Sequence, residues 1–109
     1  MKTLELIISH HFGGGVYAKE TCIPADRTLI QHKHKHAHLS ILAHGKAVVS
    51  AGGKPPHIVE GPAVIVIEAE TYHTVYARTD CVWYCIHATD ELDYAKVDET
   101  LISHEDHTP

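Results

Sequence analysis

Cationic side chains are scarce. Lys and Arg number 9 against 14 Asp and Glu, a formal charge of −5 over 109 residues, so the chain has no electrostatic footprint for tracking nucleic-acid phosphates. Long apolar runs are missing as well: the longest, residues 63–67, is about a quarter of the roughly 20 residues that a membrane helix needs. The N-terminus shows no basic region followed by an apolar stretch and a small-residue cleavage site, so neither membrane insertion nor secretion is expected. Cysteine is limited to Cys22, Cys81 and Cys85, an odd number. On one strand Cys81 and Cys85 would stand about 13 Å apart, too far for a disulfide, and free thiols in a reducing, cytoplasmic compartment are expected. No internal repeat or linker is visible, and the length suits one domain. A hydrophobic share of 44% with 21% charged residues excludes disordered and collagen-like classes.

Turn-forming chemistry between short β-prone runs organises the rest. Residues 4–8 read as a strand, ended by His10, His11, Phe12 and a glycine loop at Gly13, Gly14 and Gly15. Residues 16–23 follow, stopped by Pro24, Ala25 and Asp26. Further strands are expected over 28–33, 38–43, 46–50, 57–59, 63–68, 73–77 and 82–87. Between them lie a hairpin turn at His44-Gly45 and turns at 51–56, Gly61-Pro62, Glu70-Thr71 and 78–80. Such spacing means an all-β fold, a β-sandwich or barrel, and a small antiparallel β-barrel is expected. Only residues 90–102 look helical, with Asp90 as cap and Tyr94, Val97 and Leu101 on one face, so a short C-terminal helix closes a domain over 1–102 and leaves 103–109 as a tail. Residues 4–8 are apolar on both faces, and a barrel of this size can scarcely cover both sides of an outlying strand, which predicts a homodimer.

Histidine is the outlier, with 12 residues against 9 Lys and Arg; protonating all of them would carry the formal charge from −5 to +7, so solubility should dip at weakly acid pH. Four imidazoles fall in His32-Lys33-His34-Lys35-His36-Ala37-His38. On a strand, residues two apart share a face with Cα atoms about 6.5–7 Å apart, so His32 and His34, and His36 if the strand runs that far, project together, and two such rings can reach one ion. The alternative is a solvent-facing edge strand, with Lys33 and Lys35 as charged gatekeepers.

Beyond His32 and His34 come three residues, His38, six residues and Gly45, and later His73 closes the turn Glu68-Ala69-Glu70-Thr71-Tyr72-His73. This layout resembles the cupin superfamily, whose first motif is His-x-His, three or four residues, Glu, six residues and Gly, and whose second motif ends in a metal-binding His. His38 stands at the Glu position, as in small four-histidine cupins; Glu68 and Glu70 replace the Pro and Gly of the second motif, and Ala77 stands where many members have Asn. The segments VYAKETCIPA, HKHAHLSIL and RTDCVWYCIHATDELD also resemble small phage- and prophage-encoded cupin-like proteins of unassigned function.

The resemblance implies that the barrel is of jelly-roll type and holds a divalent transition metal, one of Mn, Fe, Co, Ni, Cu and Zn, on His32, His34, His38 and His73. Four neutral imidazoles leave the full +2 on the ion, which favours a small anionic ligand. The implied functions are a metal-dependent oxygenase, lyase or isomerase, and alternatively a non-enzymatic binding module or phage-derived structural protein. Candidate proton-transfer groups are His36, Glu70, Tyr72 and Tyr84, with His87 if the last strand lines the same cavity. Each also has a plain structural reading: Glu70 as a solvated turn, one of Trp83 and Tyr84 as core, His87 bonding a backbone carbonyl. Cys81 and Cys85 share a face with Trp83 and fill a core, while His44 and His57 are exposed loop residues.

Overall fold

The computed structural model describes residues 6–31 and 35–89. Among these there are strands β1 (Ile7–Gly13), β2 (Val16–Ile23), β3 (Thr28–Gln31), β4 (His38–His44), β5 (Lys46–Ala51), β6 (His57–Glu60), β7 (Ala63–Ile67), β8 (His73–Ala77) and β9 (Cys81–Ala88), and no helix. They form two antiparallel sheets, β1-β2-β9-β4-β7 and β3-β8-β5-β6, which face each other as a barrel. The helix expected over 90–102, the tail and the residues His32, Lys33 and His34 lie outside the described residues.

Alternation decides what faces inward. Along β9, Cys81, Trp83, Cys85 and His87 are buried while Val82, Tyr84 and Ile86 are partly exposed on the outer face. Leu42 from β4, Ala47 and Val49 from β5, Val75 and Ala77 from β8, and Ile23 and Leu29 close around Trp83 in one cluster. Both β9 cysteines belong to it, as their shared face with Trp83 implied. All three cysteines are free.

Two expectations change. His10, His11 and Phe12 do not end a strand at residue 8; they continue β1, paired with Lys19, Ala18 and Tyr17. The loop is only Gly14-Gly15, both at positive φ (60° and 74°), a two-residue hairpin whose right-handed twist suits the flanking strands. The second change is at His44-Gly45. This is no hairpin, because β4 pairs with β7 and β9 whereas β5 pairs with β6 and β8. The chain crosses there from one sheet to the other and crosses back at Gly61-Pro62, where the peptide bond is cis. The two corners touch: Gly61 N–H donates to the Gly45 carbonyl at 2.8 Å. Gly45 has φ of 103°, and a Cβ there would meet the Asp80 carbonyl and Cys81 Sγ, the latter at 2.7 Å, so a side chain is excluded by space and by backbone angle.

Candidate ligand-binding site

The antiparallel order brings the starts of β2, β4 and β8 and the ends of β3 and β9 to one end of the barrel, and their inward positions there are polar. Tyr17, Gln31, His38, His73 and His87 are all at most 7% exposed. Toward the other end the inward positions are Ile23, Leu42, Ala77 and Cys81. One end of the interior is therefore an apolar plug and the other a polar chamber.

The rings of the chamber form a chain. His38 lies 6.1 Å from His73 and 4.4 Å from His87, centroid to centroid. His87 in turn stacks at 6.2 Å on Tyr17, which packs at 4.8 Å on Phe12 and is hydrogen-bonded to His10 Nδ1 at 2.7 Å through its hydroxyl. Burial lowers the pKa of His38, opposed by the His36 backbone. Burial, with repulsion from His38, lowers that of His73 to about 4, the Thr71 backbone opposing weakly. Both rings are therefore neutral near pH 7, the form that coordinates metals.

Do these residues suit the metal that the motif implies? Two imidazoles sharing an ion at about 2.0–2.1 Å have centroids roughly 4.6–6.5 Å apart, a range that includes the His38–His73 spacing. Neither ring nitrogen of His73 makes a well-formed hydrogen bond among the described residues, the Thr71 backbone being the one weak contact, although the ring is only 1% exposed. A buried imidazole so poorly partnered suits a donor to an ion or ligand. Among the described residues no group of three or more His, Cys, Asp and Glu is arranged to hold a metal; the remaining expected ligands, His32 and His34, lie outside them.

Of the expected proton-transfer groups, His36 lines a mouth of about 270 Å³ beside His38 and His87. Tyr72 lines a second depression of about 240 Å³ beside His73. Glu70 sits exposed on the β7–β8 turn with φ of 54°, the left-handed geometry that explains the glycine usual at this motif position. Tyr84 is on the outer face of β9, where desolvation and the neighbouring Glu20 raise its pKa, so the structure does not bring it to the chamber. His87 does line it. Sequence reasoning missed Gln31 and the Tyr17–His10 pair; the only signal was that Gln31 shares its strand face with the apolar Leu29. Another cleft, of about 410 Å³ beside Cys22, Pro24, His44 and Asp80, is at the apolar end.

The sequence pattern of the AraC-like ligand-binding domain matches residues 13–105. The chain belongs to that family, a cupin-type domain. No curated protein sequence matches it. Among solved structures, ectoine synthase from P. lautus is similar at a TM-score of 0.70 and 16% identity, covering 91% of this chain and 74% of that one. A cupin superfamily protein from Desulfitobacterium hafniense DCB-2 gives 0.67 at 11% identity, covering 83% of each. An RmlC-like cupin with a double-stranded β-helix fold from Methanocaldococcus jannaschii gives 0.66 at 8%, covering 78% and 81%. These likenesses establish the cupin fold, and the AraC-like family assigns this cupin a ligand-binding character. Among the described residues no helix is long and apolar enough to cross a membrane.

Proposed function

We propose that this cupin binds a small anionic molecule at its histidine end, on a divalent transition metal held by His32, His34, His38 and His73. The observation that carries the reading is the buried His38–His73 pair, with the poorly partnered His73 ring, in a chain of a ligand-binding family. When bound, such an ion supplies positive charge and polarises an oxygen of the ligand. The protein's own residues do the rest. His38 and His73 stay neutral by burial and present nitrogen lone pairs, His87 packs against His38 and fixes its ring, and the plug around Trp83 keeps water from the far side.

A second reading, catalysis as an oxygenase, lyase or isomerase, is supported by His36 and Tyr72, titratable side chains that line the depressions next to His38 and His73. Oxygen uptake in a small-molecule screen separates it from binding alone. The homodimer is supported by Ile7 and Ile8, 65% and 43% exposed on the edge strand β1, and cytoplasmic residence by the three free cysteines.

Calorimetric titration of untagged protein with Ni²⁺, Co²⁺ and Zn²⁺ tests the metal reading. His38→Ala and His73→Ala should each weaken binding by tenfold or more, roughly the loss expected for one ligand of a preformed site, while His44→Ala binds as wild type. Equal loss in all three variants would refute it.

A further inference from the structure

Buried polar side chains are nearly always hydrogen-bonded in folded proteins, so those that are not point to a missing partner. In this barrel they gather in one place. Among the described residues, Thr21 Oγ1, Gln31 Oε1, both ring nitrogens of His73 and Trp83 Nε1 are buried without a hydrogen-bond partner. Gln31 is the cross-strand partner of His73 between β3 and β8, and Thr21 that of Trp83 between β2 and β9. Side chains paired in this way stand about 4.5–5.5 Å apart at Cβ. The two pairs belong to opposite sheets and meet through the rings of His73 and Trp83, 6.5 Å apart.

Gln31 is held in a defined orientation within this group. Its Nε2 donates to Cys85 Sγ at 2.9 Å, and Ser40 Oγ donates to the same sulfur at 3.7 Å. With Nε2 anchored on the thiol, Oε1 is directed away from Cys85, and the residue is only 7% exposed, so bulk water does not reach it. An acceptor fixed by its own amide and left unmet beside an imidazole is the arrangement of a recognition residue.

We propose that Gln31 is a specificity-determining residue of the histidine site, its Oε1 accepting a hydrogen bond from a hydroxyl group of the bound anion. This rests on the ligand-binding reading above and narrows the ligand to small hydroxylated anions, with hydroxy acids as the simplest class. The chemistry follows from the two neighbours. Gln31 Oε1 only accepts, whereas a neutral His73 offers one N–H and one lone pair. A hydroxyl donates as well as accepts, so it meets Gln31 Oε1 while the carboxylate of the same molecule lies at the histidines. An anion without a hydroxyl leaves Gln31 Oε1 unmet, which a site with a buried acceptor penalises. Cys85 and Ser40 are positioning residues, acting through the carboxamide they orient.

Glycolate and acetate differ by one hydroxyl and serve as probes, titrated calorimetrically into the full chain as isolated. Wild type should bind glycolate at least about fivefold more tightly than acetate, the scale of one modest hydrogen bond. In Gln31→Met, of similar length but without the acceptor, the ratio should fall to about one while acetate binding is retained, and Cys85→Ala should lower it part-way. Ligand-free Gln31→Met should melt at or above the wild-type temperature, because it removes an unsatisfied acceptor. A wild-type ratio near one, or a ratio unchanged in Gln31→Met, overturns the role of Gln31 and leaves the ligand reading in place. A melting temperature lowered by several degrees in Gln31→Met assigns it a structural role and likewise overturns the proposal. Failure of both acids to bind at millimolar concentration overturns the anionic-ligand reading together with it.

Discussion

His73 combines the burial and the shifted titration on which the proposed site rests. Its ring is 1% exposed, lies 6.1 Å from that of His38, and has its pKa lowered from 6.5 to about 4 by burial and by His38. The unfolded chain binds this proton more readily than the native one, so its contribution to stability is complete above about pH 6.5 and is lost as the pH falls through the window from 6.5 to 4. A shift of that size corresponds to roughly 3 kcal/mol at most for metal-free protein. Chemical denaturation of chelator-treated protein should therefore show stability falling below pH 6.5, with a shallower fall in His73→Leu; equal slopes would contradict the assignment. That His38 and His73 come together was legible in the sequence, because motif spacing survives without knowledge of the fold. Gln31 was not, because its role depends on which way β3 faces and on a thiol 54 positions away in the chain. The Tyr17–His10 pair escaped notice for a related reason: His10 stood next to a glycine run and looked like the end of a strand.

Strands and corners divide along similar lines. Seven runs chosen for β-branched residues and turn punctuation coincide with observed strands to within a residue or two, apart from the stretch after Gln31, which lies outside the described residues. The first strand was displaced toward its apolar half, since hydrophobicity marks residues 7 and 8 more strongly than the histidines that complete the ladder with β2. His44-Gly45 was read as a hairpin because a hairpin turn and a sheet-to-sheet corner ask for the same local chemistry; only the pairing partners tell them apart. Gly45→Ala should cost more than about 2 kcal/mol, as it adds a strained backbone angle to a collision with Cys81 Sγ, and urea unfolding will measure it. Glu70→Gly has the opposite sign. Removing a side chain from φ of 54° should stabilise the β7–β8 turn by up to about 1 kcal/mol, visible as a raised unfolding midpoint.

At the scale of the whole molecule the barrel interior is polar at one end and apolar at the other, and the edge strand β1 exposes Ile7 and Ile8. If Ile7 and Ile8 on β1 meet a second copy, Ile7→Lys combined with Ile8→Lys should convert a dimer to a monomer in sedimentation velocity; a monomeric wild type at micromolar concentration and above would remove the dimer. That the fold was legible as an antiparallel barrel follows from strand spacing alone, whereas the polarity of its two ends appears only once antiparallel pairing has gathered Tyr17, Gln31, His38, His73 and His87 from five strands. The central claim is that this polar end is built around an ion site shared by His38 and His73. Anomalous scattering from a crystal grown with Co²⁺ or Ni²⁺ addresses it most directly. The account predicts one strong peak in the barrel interior, within about 2.0–2.2 Å of a ring nitrogen of each of these two histidines; a peak confined to exposed histidines such as His44 or His57, with none between His38 and His73, would contradict it.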